Sequence, residues 1–282
     1  MKTILVPTDF SNNAYCALFY VAKLFESEPC RFILLNSVED QVSRLTSVID
    51  LQKSEEEIEK LFKVSELACL AVQHKLISDI EPTEHTFHII TTSFLLTRAI
   101  NEIIKSENVD FVVMGSKGKT ATDKIFIGSN SFSAIKAIKE VPLLIIPDEL
   151  EYKKPEKIGL ASSLKREYSK KQIQLLKEIS KLFNAKTAVI YVYKDENLND
   201  TQLANLHNLL EISKDEDFDL NWVPETHSKA EIIMDYVHQE QLDMLAICYH
   251  KHSFISTLFR EHLVKEIAYQ IRTPLLILPN ID

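Results

Sequence analysis

The sequence predicts an α/β fold built twice over: two five-stranded parallel sheets, each with helices on both faces. Three observations predict it. Short apolar, β-branched runs alternate with helical stretches through residues 1–148, and the same order begins again near Lys157. Three of the chain's 4 glycines (Gly115, Gly118 and Gly128) also crowd into one strand–loop–helix segment, Phe111 to Ile146.

The elements follow in order. Lys2–Val6 reads as a buried strand ended by Pro7-Thr8-Asp9-Phe10-Ser11, with Ser11 or Asn12 capping a helix that runs to about Phe25. Phe32–Val38 is a second strand, apolar enough to be covered on both faces. A polar loop is expected to Lys53, after which Ser54 and Glu57 form a capping box that opens a helix from Glu55 to about Ile80. A strand near His85–Ile90, a helix over Ser93–Ser106, the strand Phe111–Met114, a helix over Ser131–Lys139 and the strand Leu143–Ile146 complete the first set. Asp148–Glu156 is polar, charged and proline-bearing, which predicts a linker at 149–156 between domains at 1–148 and 157–282.

Matching segments support the repeat. RFILLNSV at Arg31 pairs with KTAVIYVY at Lys186, DFVVMG at Asp110 with DMLAIC at Asp243, and VPLLIIP at Val141 with TPLLILP at Thr273. Ile4 to Ile158 is 154 positions and Pro142 to Pro274 is 132, a difference of 22. Asp40 to Asp110 spans 70 and Asp195 to Asp243 spans 48, again differing by 22. The second module therefore lacks residues between its second and fourth strands.

Composition narrows the function classes. At 45 % hydrophobic and 26 % charged the chain is of a soluble globular type, with no apolar run of membrane-spanning length. A formal charge of −9 disfavours nucleic acid as a partner. MKTILVPTDF lacks a secretory h-region, and Cys16, Cys30, Cys69 and Cys248 form no close pair, so a cytoplasmic protein with reduced thiols is expected.

The glycine segment carries the chemistry. A strand, a glycine-bearing loop and a helix N-terminus make an arrangement that cradles phosphate, because backbone N–H groups and the helix dipole face the anion. Lys117, Lys119 and Lys124 against Asp123 give the loop a local balance of +2 on an acidic chain. GSKGKT looks like a Walker A loop but has two residues between its glycines where that motif needs four. In parallel sheets ligands bind at carboxyl ends of strands, which brings Asp9 and the glycine loop to the same edge.

The G-x2-G-x9-G-S spacing, with VPTDFS near the start and PLLIIP after the loop, resembles the universal stress protein family, and at full length the chain is similar to a tandem member. The resemblance implies Rossmann-like domains of the adenine nucleotide alpha hydrolase type. It also implies ATP (or ADP or AMP) as ligand, carried with Mg2+, and pairing through the last strands, between the two domains or in a homodimer. Carried over by position, Pro7, Thr8 and Asp9 border the base and ribose, and Ser37 meets the base through its backbone. Met114, Gly115, Lys117 and Gly118 line the ribose and phosphates, and Gly128, Ser129, Asn130 and Ser131 hold phosphate. Asn36-Ser37 stands where His-Val is more usual, and Asn130 where a small apolar residue is common.

In the second half Cys248 replaces Gly115, Arg260 replaces Gly128 and Ser163 replaces Asp9, so one nucleotide site per chain is expected, in the first half. Cys248 with His250, His252 and His262 matches no familiar zinc spacing and is read as loop residues. No residue set for fast phosphoryl transfer is apparent, so no catalytic residues are assigned and at most weak hydrolysis is expected. The function expected is a nucleotide-binding stress regulator. The alternatives are a nucleotide-free scaffold acting through protein partners and, third, an ATP-consuming enzyme.

Overall fold

The computed structural model describes residues 1–46, 51–118, 127–194, 197–214, 218–248 and 273–279. The chain divides into two compact units, the first ending at Tyr152 and the second beginning at Lys153. Tyr152 is anchored in the first unit: its ring meets Tyr20 edge-on at 5.3 Å and its hydroxyl donates to the Lys23 carbonyl at 3.2 Å.

The first unit runs β1 (Lys2–Pro7), α1 (Asn12–Leu24), β2 (Cys30–Ser37), α2 (Glu39–Thr46), α3 (Leu51–Asp79), β3 (Thr86–Thr92), α4 (Leu96–Ser106), β4 (Phe111–Gly115), α5 (Ser129–Ala137) and β5 (Leu143–Ile146). Its strands lie parallel in the order β3-β2-β1-β4-β5. Both alternating faces of β1, β2, β4 and β5 are buried, so each face needs a helical layer. α1 packs with α3 and α4 packs with α5, and these pairs supply the two layers. The connections turn outward from β1 to β2 and β3, then return to β4, so the crevice between β1 and β4 is the topological switch point.

The second unit repeats the plan with β6 (Lys157–Ser162), α6 (Lys170–Phe183), β7 (Lys186–Tyr193), α7 (Asp200–Ile212), β8 (Phe218–Pro224), α8 (Lys229–Gln239), β9 (Met244–Cys248) and β10 (Leu275–Leu278). Its order is β10-β9-β6-β7-β8, again parallel. The repeat extends to single hydrogen bonds. In the first unit Thr3 N–H donates to the Asp110 carboxylate at 2.7 Å while Asp110 N–H donates to the Thr3 carbonyl at 2.8 Å. In the second unit Lys157 and Asp243 make the same exchange at 3.0 and 2.9 Å. Burial raises the Asp243 pKa, but hydrogen bonds from Lys153 and from the Glu156 and Lys157 backbone outweigh it and hold the carboxyl below its ordinary range. The stability this contributes is present above the unfolded carboxyl pKa and is lost as pH falls toward the folded one. Asp243→Asn is therefore expected to flatten the acid limb of a stability–pH curve below about pH 4, measured by denaturant unfolding. An acid limb identical to that of the parent chain overturns the assignment.

Several boundaries differ from the sequence expectation. The expected polar loop after Val38 contains α2, whose start is favoured by Ser37 Oγ accepting from Glu39 N–H at 3.4 Å and by Glu39 and Asp40 in the first turn. α3 begins at Leu51, so Ser54 and Glu57 lie inside the helix and do not open it. α4 starts at Leu96 with Leu95 at its N-cap, and α5 starts at Ser129 with Gly128 at its N-cap. The shorter connection of the second module is the 13-residue α7, standing where the first unit has the 8-residue α2 and the 29-residue α3.

Candidate functional site

The crevice at the carboxyl ends of β1 and β4 is built first by the turn between β1 and α1. Thr8 N–H donates to the Leu35 carbonyl at 2.8 Å, which holds the residue after β1 against β2. Thr8 Oγ1 then accepts from Phe10 N–H and Asp9 Oδ1 from Ser11 N–H, both at 3.1 Å. Phe10 sits at φ 63, a left-handed conformation that costs a non-glycine residue about 1 kcal/mol or more and that these two side-chain bonds help to hold. Ser11 caps α1 by accepting from Ala14 N–H at 3.2 Å. Asp9 thus acts in an Asx turn, and the helix cap is its neighbour Ser11.

The segment after β4 is pinned on several sides. Ser116 N–H donates to the Ile146 carbonyl and Gly128 N–H to the Ser116 carbonyl, both at 2.7 Å, so the two ends of the glycine loop are closed on each other. Ser131, buried, donates its hydroxyl to the Gly115 carbonyl at 2.8 Å. Lys117 N–H donates to Asn13 Oδ1 at 2.7 Å, and Asn13 Nδ2 donates to the carbonyls of Ile146 and Pro147 at 3.3 and 3.1 Å. One buried asparagine on α1 therefore ties β5 to the start of the loop. The Lys117 ammonium lies 3.7 Å from the Asp148 carboxylate. Lys119, Asp123 and Lys124 lie outside the described residues.

At two of the three glycines a side chain would meet the chain's own atoms. At Gly115 a Cβ would stand 2.5 Å from Asn13 Oδ1 and 2.9 Å from the Asn13 carbonyl oxygen, so the protein's own α1 demands glycine there. At Gly118 a Cβ would stand 2.8 Å from Asp9 Oδ2, which brings the loop backbone and the β1 carboxylate together. At Gly128 the nearest atoms are 3.5 Å away or more, an ordinary contact distance. Gly128 is also the N-cap of α5 and brings no side chain to the first-turn N–H groups of Ser129, Asn130 and Ser131, which precede the first intrahelical bond, from Phe132 N–H to the Gly128 carbonyl. Ser129 and Asn130 are exposed.

The structure thus brings Pro7, Thr8, Asp9, Met114, Gly115, Lys117, Gly118, Gly128, Ser129, Asn130 and Ser131 to the ends of two adjacent strands. Of these, Pro7, Thr8, Met114, Gly115 and Ser131 are buried and serve the frame as much as the crevice. Ser37 ends β2 one strand away, and its hydroxyl donates to the Phe94 carbonyl at 2.7 Å. Sequence reasoning missed Asn13, and noted Asn36 as a departure from the family pattern without finding its bonds. Their only sequence signal is an amide at a position where the helical or strand pattern calls for an apolar side chain.

At the corresponding strand ends of the second unit, β6 and β9, stands a buried tyrosine of the longer turn. Four residues, Lys165 to Tyr168, separate Leu164 from the N-cap Ser169, whereas Phe10 adjoins the N-cap Ser11 directly. Tyr168 is buried, hydrogen-bonded to the Ser162 side chain at the end of β6 and close to the Cys248 thiol at the end of β9. Burial pushes the Cys248 thiol up to about 12, and burial with the neighbouring thiol pushes the Tyr168 phenol above its ordinary value, so both are neutral at pH 7. Lys229 Nζ donates to the Val192 carbonyl at 3.2 Å, the β7 position that corresponds to Ser37. His250, His252, Arg260 and His262 lie outside the described residues. Among the described residues no group of three or more His, Cys, Asp or Glu could hold a metal ion, and no helix is long and apolar enough to cross a membrane.

Comparison with known proteins agrees with this architecture. The sequence profile of the universal stress protein family matches residues 1–147. Universal stress protein MJ0577 of Methanocaldococcus jannaschii is 30 % identical over 154 residues, which cover 51 % of this chain and 94 % of that protein. Among solved structures, a universal stress protein from Archaeoglobus fulgidus superposes with a TM-score of 0.68 at 18 % identity, covering 99 % of this chain and 97 % of its own. A putative universal stress protein from Pseudomonas aeruginosa gives a TM-score of 0.55 at 11 % identity over 99 % of this chain and 93 % of its own. At those identities the two structures share the α/β fold, and the fold runs through both units. The profile match spans more than half the chain, and on it this chain belongs to the universal stress protein family.

Proposed function

We propose that the chain binds ATP, or another adenine nucleotide, at one site in domain 1–148, and that occupancy serves as a conformational or assembly signal in a stress response. One observation carries the reading: the Asp9 carboxylate meets the backbone of Gly118 at the topological switch point, beside a helix N-terminus whose cap residue is glycine. The Asp9 carboxylate suits a ribose hydroxyl, which can donate to it. The α5 first turn suits phosphate oxygens, which accept N–H bonds and gain from the helix dipole. Lys117 adds a cation within reach of the same edge. Mg2+ would be held chiefly through the phosphates, since Mg2+ takes few protein ligands. The nucleotide supplies the charged phosphates. The chain's own residues bind, orient and enclose it, and none is assigned to a bond-breaking step.

Titration calorimetry of nucleotide-stripped protein with Mg-ATP tests the reading. One site per chain is expected, together with a rise in melting temperature, since ligand at about 100 times its dissociation constant adds about 2.7 kcal/mol. No heat and no thermal shift at millimolar ATP overturns it in favour of the nucleotide-free scaffold. Two sites overturn the assignment of a single site to the first half.

A further inference from the structure

Beneath the turn between β1 and α1 lies a buried polar chain. Asn36, on β2, is buried, and its Nδ2 donates to the Thr8 carbonyl at 2.7 Å. That carbonyl can only accept, which fixes the amide with nitrogen toward Thr8 and oxygen away. Ser65, buried on α3, donates its hydroxyl to Asn36 Oδ1 at 2.8 Å. Its single proton is then spent, so in the 2.9 Å contact between Ser65 and Thr91 the Thr91 hydroxyl is the donor. The bonds run one way, from Thr91 on β3 through Ser65 and Asn36 to Thr8, and each polarises the next.

The far end of this chain is the turn that aims Asp9. Thr8 has both backbone groups committed to β2, N–H to Leu35 and carbonyl to Asn36. Phe10, two residues on, is held in a left-handed conformation that persists only while its surroundings over-determine it. Removing the Asn36 donor leaves a buried carbonyl without a partner and releases one side of the turn, and the Asp9 carboxylate moves with it. The first turn of α5 is held by separate bonds, Gly128 to Ser116 and Ser131 to Gly115.

We propose that Asn36, held by Ser65, is a positioning residue for the nucleoside half of the ligand: it touches no ligand atom and acts through Thr8 on the placement of Asp9. The inference rests on the nucleotide reading above. It predicts an asymmetry, in which loss of Asn36 weakens what binds through base and ribose and leaves what binds through phosphate alone.

The test compares Mg-ATP with inorganic tripolyphosphate by calorimetry on the full chain. Asn36→Leu, close in volume and without hydrogen-bonding groups, is expected to weaken Mg-ATP by roughly tenfold or more, the scale of one unpartnered buried carbonyl, with tripolyphosphate affinity unchanged. Asn36→His restores an N–H donor and is expected to recover most of the loss, which a merely structural residue would not show. Ser65→Ala, a smaller excision, is expected to give the same asymmetry at about threefold and carries the test if Asn36→Leu does not fold. Unchanged ATP affinity in both variants, or equal losses for both ligands, overturns the proposal while the binding site stands. Wild-type protein that binds neither ligand overturns both.

Discussion

Gly118→Val is expected to abolish nucleotide binding without unfolding the chain. A Cβ at this position would stand 2.8 Å from Asp9 Oδ2, and the next nearest atom is Asp9 Cγ at 3.9 Å. The obstacle is thus the end of one side chain, which can swing aside, so the fold survives. Swinging aside breaks the bond from Ser11 N–H to Asp9 Oδ1 and takes the carboxylate out of the crevice. The unliganded melting temperature should move little, in line with the roughly 0.5 kcal/mol typical of surface substitutions, while the shift produced by Mg-ATP disappears. A double-mutant cycle sharpens the result. If both changes act through one carboxylate, Asp9→Ala combined with Gly118→Val should bind no worse than Asp9→Ala alone. Additive losses would mean that Gly118 serves the ligand independently of Asp9.

Asn13→Leu is expected to lower the first unit's stability sharply. The side chain is buried and satisfies three backbone groups: Lys117 N–H and the carbonyls of Ile146 and Pro147. Leucine fills a similar volume, so the cost comes from unpartnered polar groups and not from a cavity. A loss of about 3 kcal/mol is expected, at the upper end of the range for one unsatisfied buried group and below the sum for two, because the Ile146 carbonyl keeps its bond from Ser116 N–H and the loop can open toward water. Urea unfolding of the full chain, followed by a probe in the first unit, measures it. A loss under about 1 kcal/mol would show that solvent already serves these groups. Asn13→Asp should be no milder, since it keeps the acceptor for Lys117 but turns a carboxylate toward two carbonyls.

The fold was legible because its signals are local. Apolar runs such as Phe32–Leu35 and Leu143–Ile146 mark buried strands without reference to partners, and the reappearance of PLLI before a proline marks the second copy. The site was legible at Asp9 and at the three glycines, where residue type alone departs from background. Its supports were not. Asn13 and Asn36 look in sequence like polar interruptions of apolar patterns, and their roles exist only once Pro147 and Thr8, far away in the chain, are beside them. The reason for Gly115 was hidden for the same cause: its neighbour is Asn13, 102 positions earlier. α2 was missed because its helical signal is a single Ser37 cap and two acids, which a polar loop would also display.

The left-handed turn after β1 has a counterpart in the second copy. Leu164 in the second unit sits at φ 54, with its N–H donated to Ser162 Oγ at 3.1 Å, the counterpart of Phe10 and Thr8 atom for atom. Yet that turn contains Ser163 where the first has Asp9, and a buried tyrosine, Tyr168, follows it. A strained backbone kept in a copy without the carboxylate is not kept by the carboxylate. The turn is common to the two copies and stands on its own side-chain bond in each, whereas Asp9 in one and Tyr168 in the other are particular to each copy.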